Sequence, residues 1–245
     1  MEKEIYIKMK EIEDVHWWFC GRRRIVQNVI STLELPKTCK ILDCGCGTGG
    51  NLSMLSEFGE VFGIEPDIDA LTIAQSRNIG ALYNGYLPDE IRLPQTEFDL
   101  IILLDVLEHI DDHVSSLKIL KSLLGPRGYL TLTVPAFKFL WSGHDEEHHH
   151  KRRYTASELK KIIQGAGLEI LYLTYYNFWL FPIISLIRLA RKILPTKQVG
   201  ADLRLSHPLI NRFLLTLFSS ECLFIPRLRL PFGISLLAVA QKGNV

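Results

Sequence analysis

The sequence has almost no net charge, only one closely spaced pair of cysteines and no apolar segment at its start. Its 245 residues carry a formal net charge of +1, too small for the basic field of a nucleic-acid-binding surface. We therefore expect no nucleic-acid partner. The start, Met1 to Glu4, is charged and lacks the apolar core of a secretion signal, so we expect a cytoplasmic protein.

Cysteine usage points to the same compartment. The chain has five cysteines, an odd number, and only Cys44 and Cys46 lie close together. A C-x-C pair without a second pair does not complete a zinc site. The simplest interpretation is a set of free thiols in a reducing environment.

The most informative stretch is Lys40 to Gly50. A short apolar run ends at Asp43, and glycines and a new apolar-periodic segment follow. This order predicts a buried parallel strand, a tight turn and a helix whose free N–H groups face the turn, as in nucleotide-binding loops. Gly45, Gly47 and Gly50 match the dinucleotide pattern G-x-G-x-x-G. Against a dinucleotide, Asp43 would repel a pyrophosphate and suits a ligand that bears an ammonium group.

Four short motifs then follow one another along the chain. They are Ile41 to Gly49, Gly63 to Pro66, Phe98 to Ile101 and Asp105 to His109. With them the chain resembles the class I S-adenosylmethionine-dependent methyltransferases, in particular their small-molecule, quinone-biosynthesis-like branch. The resemblance implies a doubly wound α/β fold: a seven-stranded, mostly parallel sheet, with helices on both faces and an antiparallel last strand. A nicotinamide oxidoreductase, or an inactive protein that binds the cofactor or a partner, remains the alternative.

The resemblance also implies the cofactor, S-adenosyl-L-methionine, and the placement of its parts. Its ammonium group would lie near Asp43, its ribose on Glu65 and its carboxylate near Arg22. The acid at the end of the second strand has the offset at which a carboxylate accepts both ribose hydroxyls. Many relatives place an acid after the third strand to meet the adenine, where this chain has Tyr86. The predicted cofactor-binding residues are Arg22, Asp43, Gly45, Cys46, Gly47, Gly49, Glu65, Pro66, Gly85, Tyr86, Leu104 and Asp105.

Strand four is predicted to deliver polar groups to the ligand side of the sheet. Asp105, Glu108 and His109 follow its apolar run, at the edge where open α/β sheets bind ligands. Some quinone-biosynthetic and RNA-end methyltransferases carry E-x-x-E-H here and bind a divalent metal. In this chain Asp105 replaces the first glutamate. We interpret Glu108 and His109 as residues that order the loop, and assign no metal ligand.

The segment from Trp141 to Tyr154 crowds imidazole, carboxylate and guanidinium groups into one loop. It could bind a metal, bind substrate with an imidazole as general base, or form a salt-bridged loop that caps a helix at Thr155. We favour the substrate site, and predict His144 and His148 as catalytic bases. The predicted substrate-binding residues are Trp18, His109, Arg152, Arg153 and Tyr154.

The predicted organisation has three parts. Residues 1–36 form a helical cover, residues 37–177 with 232–245 the core, and residues 178–231 a helical insert. The insert holds eight arginines and lysines against two acids, 8 − 2 = +6, and its apolar segments are interrupted or shorter than a ~20-residue membrane span. We expect a lid, a dimer contact or a peripheral contact with an anionic membrane. The expected acceptor is a small or lipid-like molecule that is methylated on oxygen; the oligomeric state stays open.

Overall fold

A mixed sheet forms the centre of the fold. In the computed structural model, which describes residues 3–89, 91, 93–94, 97–193 and 207–243, seven strands form one sheet in the order β3-β2-β1-β4-β5-β7-β6. The strands are β1 Lys40–Cys44, β2 Glu60–Glu65, β3 Ala81–Asn84, β4 Phe98–Leu104, β5 Leu124–Pro135, β6 Leu168–Tyr176 and β7 Ser235–Lys242. β7 runs antiparallel to β5 and β6, and the other pairs are parallel. The predicted fold class is confirmed, including its antiparallel last strand.

The helices cover the sheet, and side chains cap the N-termini of several of them. They are α1 Lys3–Ile12, α2 Trp17–Ile30, α3 Leu52–Ser56, α4 Ile68–Gln75, α5 His113–Leu123, α6 Gly143–Glu147, α7 Ala156–Gly165, α8 Phe181–Ile193 and α9 Pro208–Ser219. Asp67 caps α4 through the N–H groups of Asp69 and Ala70. Thr155 and Glu158 form the reciprocal capping box that starts α7.

Burial explains why the central strands are nearly continuous apolar runs. Ile41 and Leu42 in β1 and Leu100 to Leu103 in β4 have no exposed surface, as expected where helices cover a parallel sheet. The carboxyl ends of these strands lie at one edge of the sheet. The glycine loop, residues 45–50, follows β1, Glu65 ends β2 and Asp105 directly follows β4. The topology alone therefore brings them together.

Helices α8 and α9 lie in the predicted insert, and α9 is built into the core. A Cβ atom on Gly21 of α2 would lie 2.3 Å from Cδ1 of Phe218, so the glycine allows the close approach. Phe218 is fully buried, and its ring stacks on Tyr176 at 6.1 Å between centroids. Lys197, Asp202 and Arg204, which the sequence count of charges includes, lie outside the described residues. The three-part division of the chain stays a prediction.

Within the described part of the chain, every helix is too short or too polar to span a bilayer.

Candidate active site

The glycine loop after β1 forms the floor of the candidate site. Gly45, Gly47 and Gly49 have φ angles of 75°, 55° and 83°, which other L residues rarely adopt. At Gly45 a Cβ atom would also lie 2.6 Å from Cγ2 of Val106. The N–H groups of Gly45 and Cys46 donate to the carbonyl of Ile64 at 2.8 and 3.1 Å, which ties the loop to β2. The loop therefore has a fixed shape that glycines make possible.

Glu65, at the end of β2, lies directly under this loop. Its carboxylate accepts hydrogen bonds from the N–H groups of Gly47 at 2.9 Å and Asp67 at 3.1 Å. Burial raises the pKa of Glu65, although these two N–H groups oppose the rise. The hydrogen bonds hold the side chain at the cavity wall, where its remaining lone pairs face the ligand side.

Asp43 is the buried carboxylate of β1. It is 1 % exposed, and its Oδ2 accepts no hydrogen bond from any described residue. Burial raises the pKa of Asp43 to about 7; Arg22 opposes this rise and Glu65 adds to it. A buried carboxylate in this state is stabilised by a cationic partner. The group thus suits a ligand with an ammonium group.

Arg22 and Asp105, both predicted cofactor residues, contact each other. The guanidinium of Arg22 is ion-paired with Asp105 and lies 4.8 Å from the ring centroid of Trp18. Asp105 follows β4 with a φ of 56°. The pair closes the side of the site between α2 and β4.

The segment from Trp141 to Tyr154, which we call the histidine loop, is held together by Asp145. The sequence did not predict this role. Asp145 has no exposed surface and accepts hydrogen bonds from Nε and Nη2 of Arg153 at 2.7 and 3.1 Å. Nδ1 of His150 lies 2.9 Å from the same carboxylate, and the N–H of Ser142 donates to it at 2.9 Å. Burial opposes ionisation, but the hydrogen bonds from His150 and Arg153 outweigh it and hold the pKa of Asp145 below its usual range.

His144 and His148 lie together on the cavity side of this loop. Their ring centroids are 4.3 Å apart. Burial lowers the pKa of His144 well below its usual value, and the neighbouring His148 and Arg188 lower it further. His144 is therefore a neutral imidazole at neutral pH, the form that accepts a proton.

A third group of polar side chains lies where the segment after β4 meets the histidine loop. One ligand atom each of Glu108, His109 and His150 falls within 4.8 Å of the others. Glu108 is fully buried, and neither carboxylate oxygen accepts a hydrogen bond from another described residue. Burial, with smaller contributions from His150 and His148, lowers the pKa of His109 to about 4. One oxygen and two imidazole nitrogens form a donor set that suits a transition-metal dication.

A cavity of about 1100 Å³ joins these groups. It exceeds the ~300–1,000 Å³ of ordinary small-molecule pockets, so it has room for more than one ligand. Of the predicted residues, the cavity is lined by Trp18, Arg22, Gly45, Cys46, Gly47, Glu65, Pro66, Leu104, Asp105, His109, His144, His148 and Arg153. Asp43, which is buried in β1 behind the loop, and Gly49, which belongs to the loop, do not line the cavity.

The remaining predicted residues lie elsewhere. Tyr86 is 45 % exposed, and neither it nor Gly85 lines the cavity. The hydroxyl of Tyr154 lies 2.9 Å from Nδ1 of His113 in the interior, and Arg152 donates to the carbonyl of Asp111 at 3.1 Å. Both residues fit the salt-bridged, helix-capping interpretation of their loop better than substrate contact.

Arg153 lines the cavity, and each of its three nitrogens already donates one hydrogen bond. Besides its two bonds to Asp145, Nη1 donates to the carbonyl of Ala136 at 2.9 Å. In this arrangement Arg153 orients the histidine loop. Its assignment as a substrate ligand stays a prediction.

Helix α1 contributes residues that the sequence analysis did not single out. Tyr6 and Met9 of α1 and Glu13, which directly follows the helix, line the cavity, and Glu13 accepts a hydrogen bond from the hydroxyl of Thr48 at 2.8 Å. Glu13 is also ion-paired with Arg77. The one available signal was an acid next to an apolar residue in a charged segment.

Comparison with known proteins identifies the fold around this cavity. The model of a family described as "Methyltransferase domain" matches residues 19–173. The chain belongs to this family. The methyltransferase domain of this chain contains the glycine loop, Glu65 and the histidine loop, so the predicted resemblance is confirmed.

Relatives within the family share modest identity. A probable S-adenosylmethionine-dependent methyltransferase of Mycolicibacterium smegmatis is 27 % identical over 171 residues, which is 65 % of this chain and 62 % of the relative. A ubiquinone biosynthesis O-methyltransferase of Acinetobacter baumannii is 28 % identical over 171 residues, 58 % of this chain and 72 % of the relative. The chain thus spans less than two thirds of the first relative's length.

Solved structures agree on the fold. A putative methyltransferase of Haloferax volcanii, in complex with the Trm112 activator, has a TM-score of 0.61 at 15 % identity, with 96 % of this chain and 93 % of that chain covered. Haemonchus contortus phosphoethanolamine N-methyltransferase 2, in complex with S-adenosyl-L-methionine, has a TM-score of 0.58 at 17 % identity, with 89 % and 53 % covered.

The residues of the cavity fit S-adenosyl-L-methionine, the cofactor of this methyltransferase family. Its ammonium group would be attracted by the negative charge of Asp43 directly behind the glycine loop, and its ribose diol would find a carboxylate acceptor in Glu65. Arg22 is already ion-paired with Asp105. It would bind the cofactor carboxylate only if its N–H donors were shared between that carboxylate and Asp105. The nicotinamide alternative fits less well, because Asp43 lies directly behind the loop that would hold a pyrophosphate.

Proposed function

We propose that this protein transfers the methyl group of S-adenosylmethionine to a small or lipid-like acceptor, through an oxygen nucleophile. The observation that carries the proposal is the shared cavity: the glycine loop and Glu65 line the same cavity as His144 and His148. The names of the curated relatives support the oxygen acceptor at low identity.

The cofactor, when bound, supplies an activated methyl group whose transfer is an in-line displacement from a sulfonium. The protein's own task is mainly alignment. The glycine loop and Glu65 fix the nucleoside end. The imidazole of His144, held neutral by burial, is placed to accept the proton that an acceptor hydroxyl loses as the new bond forms. Asp145 and Arg153 hold the loop that carries this imidazole.

The proposal is tested with the double variant His144→Ala, His148→Ala in a methyl-transfer assay with labelled S-adenosylmethionine. A cell extract serves as the source of the methyl acceptor. We expect turnover to fall by about 10²–10⁴-fold, the usual contribution of a general base, while cofactor binding by calorimetry stays unchanged. Lys151→Ala is the matched control, because Lys151 belongs to the same loop, is exposed and does not line the cavity. Cofactor binding without methyl transfer in the parent protein would support the inactive alternative, and equal turnover in the double variant would remove the base from the proposal.

A metal-assisted form of the same reaction is the second candidate. It is favoured by the buried Glu108 carboxylate, which with His109 and His150 forms the donor set described above. A dication held there would lower the pKa of an acceptor hydroxyl. Metal content of the purified protein, compared between the parent and Glu108→Gln, tests it: a stoichiometric metal lost in the variant supports it, and a metal-free, active parent contradicts it.

A further inference from the structure

The strongest unexplained feature outside the catalytic groups is an exposed apolar surface on α8 and α9. We call it the outer apolar surface, and it consists of Ile183, Leu186 and Ile187 on α8 and Leu209, Ile210 and Phe213 on α9. Leu186, Leu209 and Phe213 are 70 %, 72 % and 64 % exposed. Ile183, Leu186 and Ile187 follow helical spacing, so on α8 they form one continuous stripe. An exposed apolar stripe on each of two helices that line the same cavity marks an interaction surface.

This exposure is not the result of loosely attached helices. The amide of Asn211 in α9 accepts from the N–H of Trp17 at 2.9 Å and donates to the carbonyl of Val15 at 2.8 Å. On α8, Arg188 donates to the carbonyl of Leu140 at 2.9 Å and Lys192 to that of Phe139 at 2.8 Å. Both helices are fixed on their inner sides, and their outer sides are left apolar.

The exposed charges of the insert itself are of one sign. In the described residues of the insert, 178–193 and 207–231, the only acid is Glu221, which has no exposed surface and accepts hydrogen bonds from three backbone N–H groups at residues 177–179. The cations of these ranges are Arg188, Arg191, Lys192, Arg212, Arg227 and Arg229. A segment with exposed apolar side chains, six cations and no exposed acid of its own complements an anionic lipid surface.

The active-site cavity reaches this surface. Ile184, Ile187 and Arg191 of α8 and Leu214 of α9 line it, and Ile187 is at the same time part of the outer apolar surface. The two helices therefore border the mouth of the cavity. A molecule with an apolar tail and a polar head could enter from a bilayer without leaving an apolar environment.

We propose that the outer apolar surface docks the protein on an anionic membrane, and that the methyl acceptor is an amphipathic molecule taken from that membrane. The second clause rests on the proposed methyltransferase function; the first does not. Docking inserts the side chains of the two stripes at the level of the lipid head groups, with the neighbouring arginines on the lipid phosphates.

The test is co-sedimentation of the full chain with vesicles of phosphatidylcholine alone or mixed with phosphatidylglycerol. We expect binding only to the mixed vesicles, and a decrease as salt screens the arginines. The variant Leu186→Ser, Leu209→Ser, Phe213→Ser should lose roughly a hundredfold in partition coefficient, since three apolar side chains leave the interface. Arg212→Gln should lose roughly fivefold. Ile68→Ser is the matched control, because Ile68 is similarly exposed but lies on α4.

Three results would overturn the proposal. The parent could remain in the supernatant with both kinds of vesicle, or the triple serine variant could bind as the parent does. The parent could also be a dimer without lipid that becomes a monomer in the triple variant, which would make the surface a contact between copies of this chain. Calorimetry with S-adenosylmethionine in the absence of vesicles tests the proposed function separately from membrane docking. The substituted outer residues do not line the cavity, so their variants should bind the cofactor as the parent does.

Discussion

Asp43→Asn should have opposite effects on stability and on cofactor binding. The folded-state pKa of Asp43 is raised to about 7 from 3.8. A raised carboxylate pKa means that ionisation costs folding free energy, and the cost develops as pH rises from about 4 to about 7. Roughly three pKa units at 1.36 kcal/mol each give a penalty on the order of 4 kcal/mol above pH 7. The side chain is buried, so solvent does not screen this penalty.

Asparagine keeps the shape and removes the charge. Without cofactor, the variant should be up to about 4 kcal/mol more stable than the parent at pH 8 and equal to it near pH 4, by urea denaturation at both pH values. Its affinity for S-adenosylmethionine should fall by about 10- to 150-fold, the equivalent of the ~1.5–3 kcal/mol of a hydrogen bond to a charged group. Calorimetry measures the second effect.

Asp69→Asn provides the control, because Asp69 is exposed on the first turn of α4 and its replacement should change neither quantity by more than about 0.5 kcal/mol. The reasoning is refuted if Asp43→Asn lowers stability at pH 8, or if it binds the cofactor as tightly as the parent does.

Two further predictions concern Glu65 and the histidine loop. Glu65→Gln should weaken the binding of S-adenosylmethionine and of its demethylated product by the same factor, because both carry the same ribose. Unequal changes in the two dissociation constants would show that Glu65 does not bind the ribose. Arg153→Met should destabilise the protein by about 3–5 kcal/mol, since it leaves the buried Asp145 charge without its main partner. Arg152→Met should cost far less, and similar denaturation midpoints for the two variants would contradict the roles assigned here.

The cofactor half of the site followed from the sequence because the topology determines it. Apolar runs predicted β1, β2 and β4, and the carboxyl ends of parallel strands meet at one edge. Residues that end or directly follow such strands, such as Glu65 and Asp105, had to come together there. Asp43, one residue from the end of β1, needed only strand periodicity to be placed behind the loop.

The acceptor half was less predictable, because a loop can direct its side chains in several ways. Arg153 and Tyr154 follow the histidines in the sequence, yet both turn inward, because Asp145 and His113 provide hydrogen-bond partners there. Tyr86 follows β3 in the expected order but faces solvent. The role of Asp145 could not be deduced, since a composition of mixed charges does not say which acid is buried. Glu13, directly after α1, was missed for a related reason: only the three-dimensional packing shows that it reaches Thr48.

The central claim is that the cavity binds S-adenosylmethionine and transfers its methyl group, and equilibrium binding of the purified protein tests it most directly. The account predicts a saturable, one-to-one titration with S-adenosylmethionine by calorimetry, weakened in Asp43→Asn, and no binding of a nicotinamide dinucleotide. Binding of the dinucleotide with no response to S-adenosylmethionine would contradict it.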